Sequence, residues 1–140
     1  VYMDMPDCLI PILAETKVYN IEKEYAYSGT FDILFYYNAL LNHKPLIDSG
    51  LYVLDWKTNA DLFKNFAGKT LLPPFDEMLD MPKSMYILQL NSYQMALEKI
   101  GLKVIARKLF WLLPDGTYQK IPLENITKKL NEALKEKGRK

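Results

Sequence analysis

Apolar positions along this chain recur at two spacings, and the switch between them divides it into elements. Ile12 to Asn20 alternates loosely, as a half-buried strand does. Tyr25 to Tyr37 is rich in aromatic and β-branched residues and reads as a second strand. Gly29 inside it signals a bulge or a close backbone approach. Asn38 to Gly50 carries turn chemistry, with Asn42, Pro45 and Asp48-Ser49-Gly50. Leu51 to Thr58 is a third strand, and the three are expected to pair as an antiparallel meander. Residues 1–10 read as an irregular lead-in.

Asn59 to Pro82 is interrupted by Gly68, Pro73-Pro74 and Pro82, which leaves room for a short helix over Ala60–Phe66. The connection reads as a gate over a site or as a poorly packed link. Beyond it the period becomes helical. Tyr86, Leu90, Tyr93 and Leu97 follow an N-cap at Ser84, and Gly101 stops the run, so a helix is expected over 84–100. Lys103 to Leu113 and Tyr118 to Leu123 read as a hairpin through Pro114-Asp115-Gly116-Thr117. Glu124 to Lys137 is an amphipathic helix with Ile126, Leu130 and Leu134 on one side. The order βββαββα predicts an α/β domain with one sheet and helices on it.

Composition narrows the chemistry. The chain has 140 residues, enough for one domain with a real core. A formal net charge of +1 gives no global basic field, so any contact with nucleic acid must come from local patches. The single cysteine, Cys8, excludes an internal disulfide and a four-cysteine iron–sulfur cluster, and points to a reducing, cytoplasmic compartment. The single histidine, His43, lies in a polar loop and argues against a Ser-His-Asp triad or a His-rich zinc site. No apolar run approaches the roughly 20 residues that a membrane span needs. The chain opens at Val1 rather than Met, as a processed or excised fragment does.

The informative charges sit at strand ends. Asp55 and Lys57 follow the apolar run Leu51-Tyr52-Val53-Leu54 and, two residues apart, share a strand face. Burying both for packing alone would be costly. Asp32 sits in a similar run upstream, in Gly29-Thr30-Phe31-Asp32. Two aspartates converging beside a lysine suit a divalent metal, a phosphate and a water, which is the equipment of phosphodiester hydrolysis. The carbonyl of Trp56 is a third candidate ligand. Gln89 and Tyr93, four apart on the long helix, share a face and are suited to hydrogen-bond a phosphate or a nucleotide edge. Trp56 and Trp111 read as packing residues. Lys17, Lys83 and the basic stretch at Lys135, Lys137, Arg139 and Lys140 read as solvated.

Gly29-Thr30-Phe31-Asp32, Asp55-Trp56-Lys57-Thr58 and Gln89-Leu90-Asn91-Ser92-Tyr93 present G-x-x-D, D-x-K-T and Q-x-x-x-Y in that order. In this the chain resembles the PD-(D/E)XK nuclease superfamily, and more closely its RecB-like and phage-exonuclease branch, from about Glu15 to Leu123. The resemblance implies a single nuclease domain over 1–140 with a restriction-endonuclease-like core, a mixed sheet flanked by helices. It implies Asp32 and Asp55 as ligands of Mg²⁺ or Mn²⁺, Lys57 as the catalytic lysine, and Gln89 and Tyr93 as substrate-binding residues. Glu15 matches an acidic position that precedes G-x-x-D in phage members, as a further ligand or a support for Lys57. The implied activity is that of a DNA nuclease, an exonuclease by the branch. It would act in recombination, repair or phage DNA processing, alongside recombination or replication proteins, in a bacterial or phage-infected cell.

Two departures stand out. Many members carry an acidic residue on a helix upstream of the sheet, and only Val1 to Pro11 precede the Glu15 region here. Either the fragment lacks that helix or Glu15 substitutes for it. Cys8 alone also excludes the iron–sulfur subtype. The competing reading is a catalytically inactive module that keeps the fold and binds or scaffolds nucleic acid, and a nuclease acting on RNA is a third.

Overall fold

The computed structural model describes residues 9–58, 61–65 and 67–138, apart from the side chain of Phe31. Cys8, Ala60, Phe66, Arg139 and Lys140 lie outside the described residues. Five strands and two α-helices follow one another as β1 (Leu9–Ile21), β2 (Ala26–Tyr37), β3 (Gly50–Lys57), α1 (Pro82–Lys99), β4 (Val104–Leu112), β5 (Tyr118–Pro122) and α2 (Thr127–Gly138). The order is the one expected from periodicity. The strands form one mixed sheet in the spatial order β1-β2-β3-β4-β5. The meander of β1, β2 and β3 is antiparallel, β3 and β4 are parallel, and β5 returns antiparallel to β4. The parallel pair requires a crossover, which α1 and the segment before it supply.

Both helices lie on one face. Val18, Leu34, Leu51, Val53, Leu109 and Ile121 of the sheet share a core with Ile87, Leu90, Tyr93, Ala96 and Leu97 of α1. The helix α2 packs on α1. On the opposite face Ile33, Phe35, Leu54 and Phe110 form a second cluster, roofed by Leu9, Tyr52, Trp56 and Tyr118 rather than by a helix. The described fold is thus a two-layer α/β arrangement, helical on one side only. No helix among the described residues is long and apolar enough to cross a membrane.

Buried polar side chains tie α1 to its neighbours. Asn91, fully buried, donates to the carbonyls of Ile87 (2.8 Å) and Glu124 (2.9 Å) and accepts from the N–H of Ile126 (2.8 Å). Gln94 accepts from Arg107 on β4 at 2.6 Å. Tyr27 donates its hydroxyl to the carbonyl of Ser92 and accepts from Asn20 at 3.0 Å.

Several boundaries differ from the expectation. The helix α1 begins at Pro82, with Met81 as its cap residue, and Ser84 is buried in the first turn. Proline has no N–H to leave unpaired at a first helical position, so it starts the helix where it was expected to end a loop. The helix α2 begins at Thr127 rather than Glu124, because Asn125 caps the Thr127 N–H at 3.0 Å while Asn91 engages the Glu124 carbonyl and the Ile126 N–H. The strand β1 starts at Leu9, inside the expected lead-in.

No helix forms over 61–65. The Asp61 side chain takes the Phe63 N–H at 2.9 Å, an alternative to the helical bond. Leu62 is fully buried, and its carbonyl accepts from the Lys83 N–H at 3.0 Å. Asn65 donates to the carbonyls of Lys69 (2.8 Å) and Asp80 (2.9 Å), clamping a small ladder around Thr70 and Leu79. Glu77 pairs with Lys129 of α2. The connection is therefore pinned at several points.

Candidate functional site

The strand β3 ends on Asp55, Trp56 and Lys57, and the alternation of side chains sends them to different faces. Trp56 packs on Phe110, ring centroids 5.0 Å apart, on the face without helices. Asp55 and Lys57 face α1. Asp55 is buried at 3 % exposure, and the Lys57 ammonium lies 2.8 Å from its Oδ2 and 4.3 Å from the centroid of the Tyr86 ring.

Asp32 reaches the same place from β2. The last residue pair of the β2–β3 ladder is Ile33–Leu54, so the next step sets Asp32 level with Asp55. Asp32 Oδ2 accepts from the Trp56 N–H at 3.1 Å. The N–H of Trp56 is thus engaged with the Asp32 carboxylate.

Counted from Tyr27 and Gly29, strict alternation would not put Asp32 there. Tyr27 and Gly29 meet α1 from odd-numbered positions, whereas Leu34 and Tyr36 join the helix-side core from even-numbered ones. The strand therefore changes face between Gly29 and Leu34. Across from Asp32, between the pairs Ala14–Ile33 and Thr16–Phe31, sits Glu15 with φ of +47°. A left-handed residue inside a strand re-aims the side chains beside it. The distortion at Glu15 coincides with the turn of Asp32 towards Asp55.

Glu15 itself is exposed. Among the described residues no three His, Cys, Asp or Glu side chains gather closely enough to hold one ion. The register sets Glu15 across from Asp32, at the margin of the pair.

The two aspartates behave as a pair. Burial pushes the Asp55 carboxyl up to about 7, aided by its hydrogen bond to Asp32 and opposed by Lys57. Burial also works against ionisation of Asp32. Hydrogen bonds from the Asp55 carboxyl and the Trp56 N–H, with the charge of Lys57, overcome it and hold Asp32 below the usual carboxylate range. Desolvation disfavours the Lys57 ammonium, but Asp55 outweighs it and raises the lysine above its ordinary value. One proton shared by two carboxylates is the expected state of like charges in close contact.

The contact of Lys57 with Asp55 Oδ2 is electrostatic. This oxygen is fully buried, and the Lys57 ammonium is its charge partner. Two carboxylates in contact beside a single lysine are costly in a purely structural role and are suited to a cation. Two carboxylates and a backbone carbonyl form a hard-oxygen set, of the kind Mg²⁺ and Mn²⁺ prefer.

The helix α1 contributes a row of side chains. Gln89 donates to the Tyr93 hydroxyl at 2.7 Å. The Tyr93 ring is buried over Gly29, where an added β-carbon would lie 2.4 Å from Tyr93 Cε1. The glycine of G-x-x-D is thus explained by close approach of the Q-x-x-x-Y tyrosine. Burial raises the Tyr93 hydroxyl above its ordinary value. Gln89 and Tyr93 also line a groove of about 440 Å³ with Tyr27, Ser28, Ser92 and Leu130.

The structure brings Asp32, Asp55, Lys57, Gln89 and Tyr93 to one region and leaves Glu15 at its margin. Tyr86 is the member that sequence reasoning took only as core. Its signal was its spacing, three residues before Gln89 and seven before Tyr93 on the same helix face. Neither a protein-family model nor a curated protein matches this chain.

Proposed function

We propose that this chain is a metal-dependent DNA nuclease of the PD-(D/E)XK type, acting as an exonuclease. The observation that carries the reading is the convergence of Asp32, Asp55 and Lys57 on one face, two carboxylates in contact with Asp55 buried beside the lysine. The five-stranded mixed sheet is compatible with a restriction-endonuclease-like core. A cytoplasmic setting and recombination or replication proteins as partners belong to the same reading.

In it Asp32, Asp55 and the Trp56 carbonyl hold Mg²⁺ or Mn²⁺. When bound, such an ion neutralises phosphate charge and makes a coordinated water more acidic. Lys57 faces the same space and offers its positive charge to the phosphate and its N–H groups to the attacking water. Gln89 and Tyr93, already joined by a hydrogen bond, steady the substrate beside it.

The decisive assay follows end-labelled single-stranded, linear duplex and circular DNA in Mn²⁺, with Asp55→Ala and Lys57→Ala as controls. Cleavage is expected for the unaltered protein alone, with both variants keeping the native circular dichroism spectrum. An equally active Asp55→Ala protein sinks the proposal.

One observation favours a second reading, a nuclease-fold module that binds nucleic acid without turnover. No third carboxylate joins the site among the described residues. Tight metal-dependent DNA binding without cleavage distinguishes that outcome.

A further inference from the structure

Lys57 is held from two sides, and the two holds respond differently to a cation. Asp55 Oδ2 attracts the ammonium from 2.8 Å, and the Tyr86 ring from 4.3 Å to its centroid. A divalent ion on Asp55 competes for the oxygen that holds the lysine and repels the ammonium as a like charge. The ring offers its π face, which such an ion leaves in place. We propose that Tyr86 is the positioning residue that keeps Lys57 at the site once a divalent cation occupies Asp55.

The geometry supports a platform rather than an incidental contact. Tyr86 is half-buried against the helix-side core, so packing fixes its ring independently of Lys57. It stands in the same row of α1 as Gln89 and Tyr93. Lys57 is a flexible four-carbon chain at the end of β3, its side chain 21 % exposed. Without the ring, an ammonium displaced from Asp55 has solvent as its alternative. This inference rests on the metal site proposed above and adds to it the residue that orients the lysine.

Side-chain order at Lys57 reads the effect without substrate. Carbon-13 relaxation of the Lys57 Cε methylene is measured in the unaltered protein, Tyr86→Phe and Tyr86→Leu, with no metal and with saturating Mg²⁺. The unaltered and Phe proteins are expected to keep Lys57 ordered in both conditions. The Leu variant preserves apolar bulk without the ring and should hold Lys57 only until Mg²⁺ is added. Lys57 equally ordered in the Mg²⁺-loaded Leu variant overturns the proposal. So does disorder in the Phe variant, because the ring would then not be the hold, and so does a failure of Mg²⁺ to perturb Asp55 at all.

Cleavage of labelled linear duplex DNA in Mg²⁺ gives the second arm. Tyr86→Leu should lower kcat at least tenfold with KM within twofold, and Phe at this position should restore the rate. An inert unaltered protein defeats the nuclease reading, while the relaxation data still decide the role of Tyr86. If Tyr86→Leu does not fold, Tyr86→Met supplies the same comparison with a more adaptable side chain.

Discussion

The ring of Tyr93 occupies the space that any side chain at position 29 would need, with Cε1 2.4 Å from where a β-carbon on Gly29 would stand. This contact joins β2 to α1 within three residues of Asp32 and four of Gln89. It makes the packing of the helix on the sheet part of the site's geometry.

Gly29→Ala should therefore act through Tyr93. The ring is buried and hydrogen-bonded to Gln89, so relief requires a shift of the helix face. Overpacking of this kind costs about 1–3 kcal/mol. In a Tyr93→Leu background the cost should fall by roughly half or more, a coupling that a double-mutant cycle of urea midpoints measures. Equal costs in both backgrounds contradict the contact.

The aspartate pair sets a pH dependence for the metal-free protein. Asp55 titrates at about 7 in the folded state, above its ordinary value of 3.8. Between those values the native state keeps a proton that the unfolded chain has released, so stability falls as pH rises. Asp32 acts oppositely: its lowered value contributes stability above the ordinary carboxylate range, and that contribution is lost as pH falls through its folded value. Chemical denaturation in a chelating buffer should show stability declining from pH 4 to 7, and the decline should vanish in Asp55→Asn. Mn²⁺ should bind with release of this proton, so its affinity should increase with pH up to about 7.

Glu15→Gly separates backbone from side chain. A non-glycine residue at φ of +47° carries a left-handed penalty of about 1–2 kcal/mol. Glycine removes it but adds chain entropy of about 0.5–1 kcal/mol. The variant should be as stable as the parent or more stable by up to about 1 kcal/mol, with Mn²⁺ affinity unchanged. A tenfold loss of Mn²⁺ affinity, read by electron paramagnetic resonance, would show Glu15 to be a ligand.

Asn91→Leu tests the staple between α1 and the approach to α2. It removes three hydrogen bonds and leaves the Glu124 carbonyl and the Ile126 N–H without their partner. A loss of about 2–4 kcal/mol is expected. Hydrogen exchange should accelerate first in α2, which meets the rest of the fold mainly through α1.

Much of this molecule was legible in residue order. Loose alternation marked β1, an aromatic and β-branched run marked β2, an apolar run marked β3, Gly101 (φ +91°) ended α1, and Gly116 (φ +86°) made the β4–β5 turn, because these depend on neighbours along the chain. Asp55 and Lys57 were legible as a pair for the same reason. Pro82 and Ser84 differ from the expectation because a proline breaks a helix or begins one according to its tertiary setting, and here the Lys83 N–H just after it bonds back to the Leu62 carbonyl.

By itself, the sequence determined the order of elements, the shared face of Asp55 and Lys57, and the helical row that contains Gln89 and Tyr93. Only the tertiary structure decided that β3 and β4 run parallel and that both helices cover one face. It also decided that β2 changes face between Gly29 and Leu34, that Tyr86 stands over Lys57, and that Glu15 takes a left-handed backbone across from Asp32. The physical reason is the range of the interactions. Side-chain alternation and helical spacing act over a few residues and are written in local composition. The left-handed turn at Glu15 and the ring over Lys57 arise where segments distant in sequence are pressed together, and no local pattern encodes them.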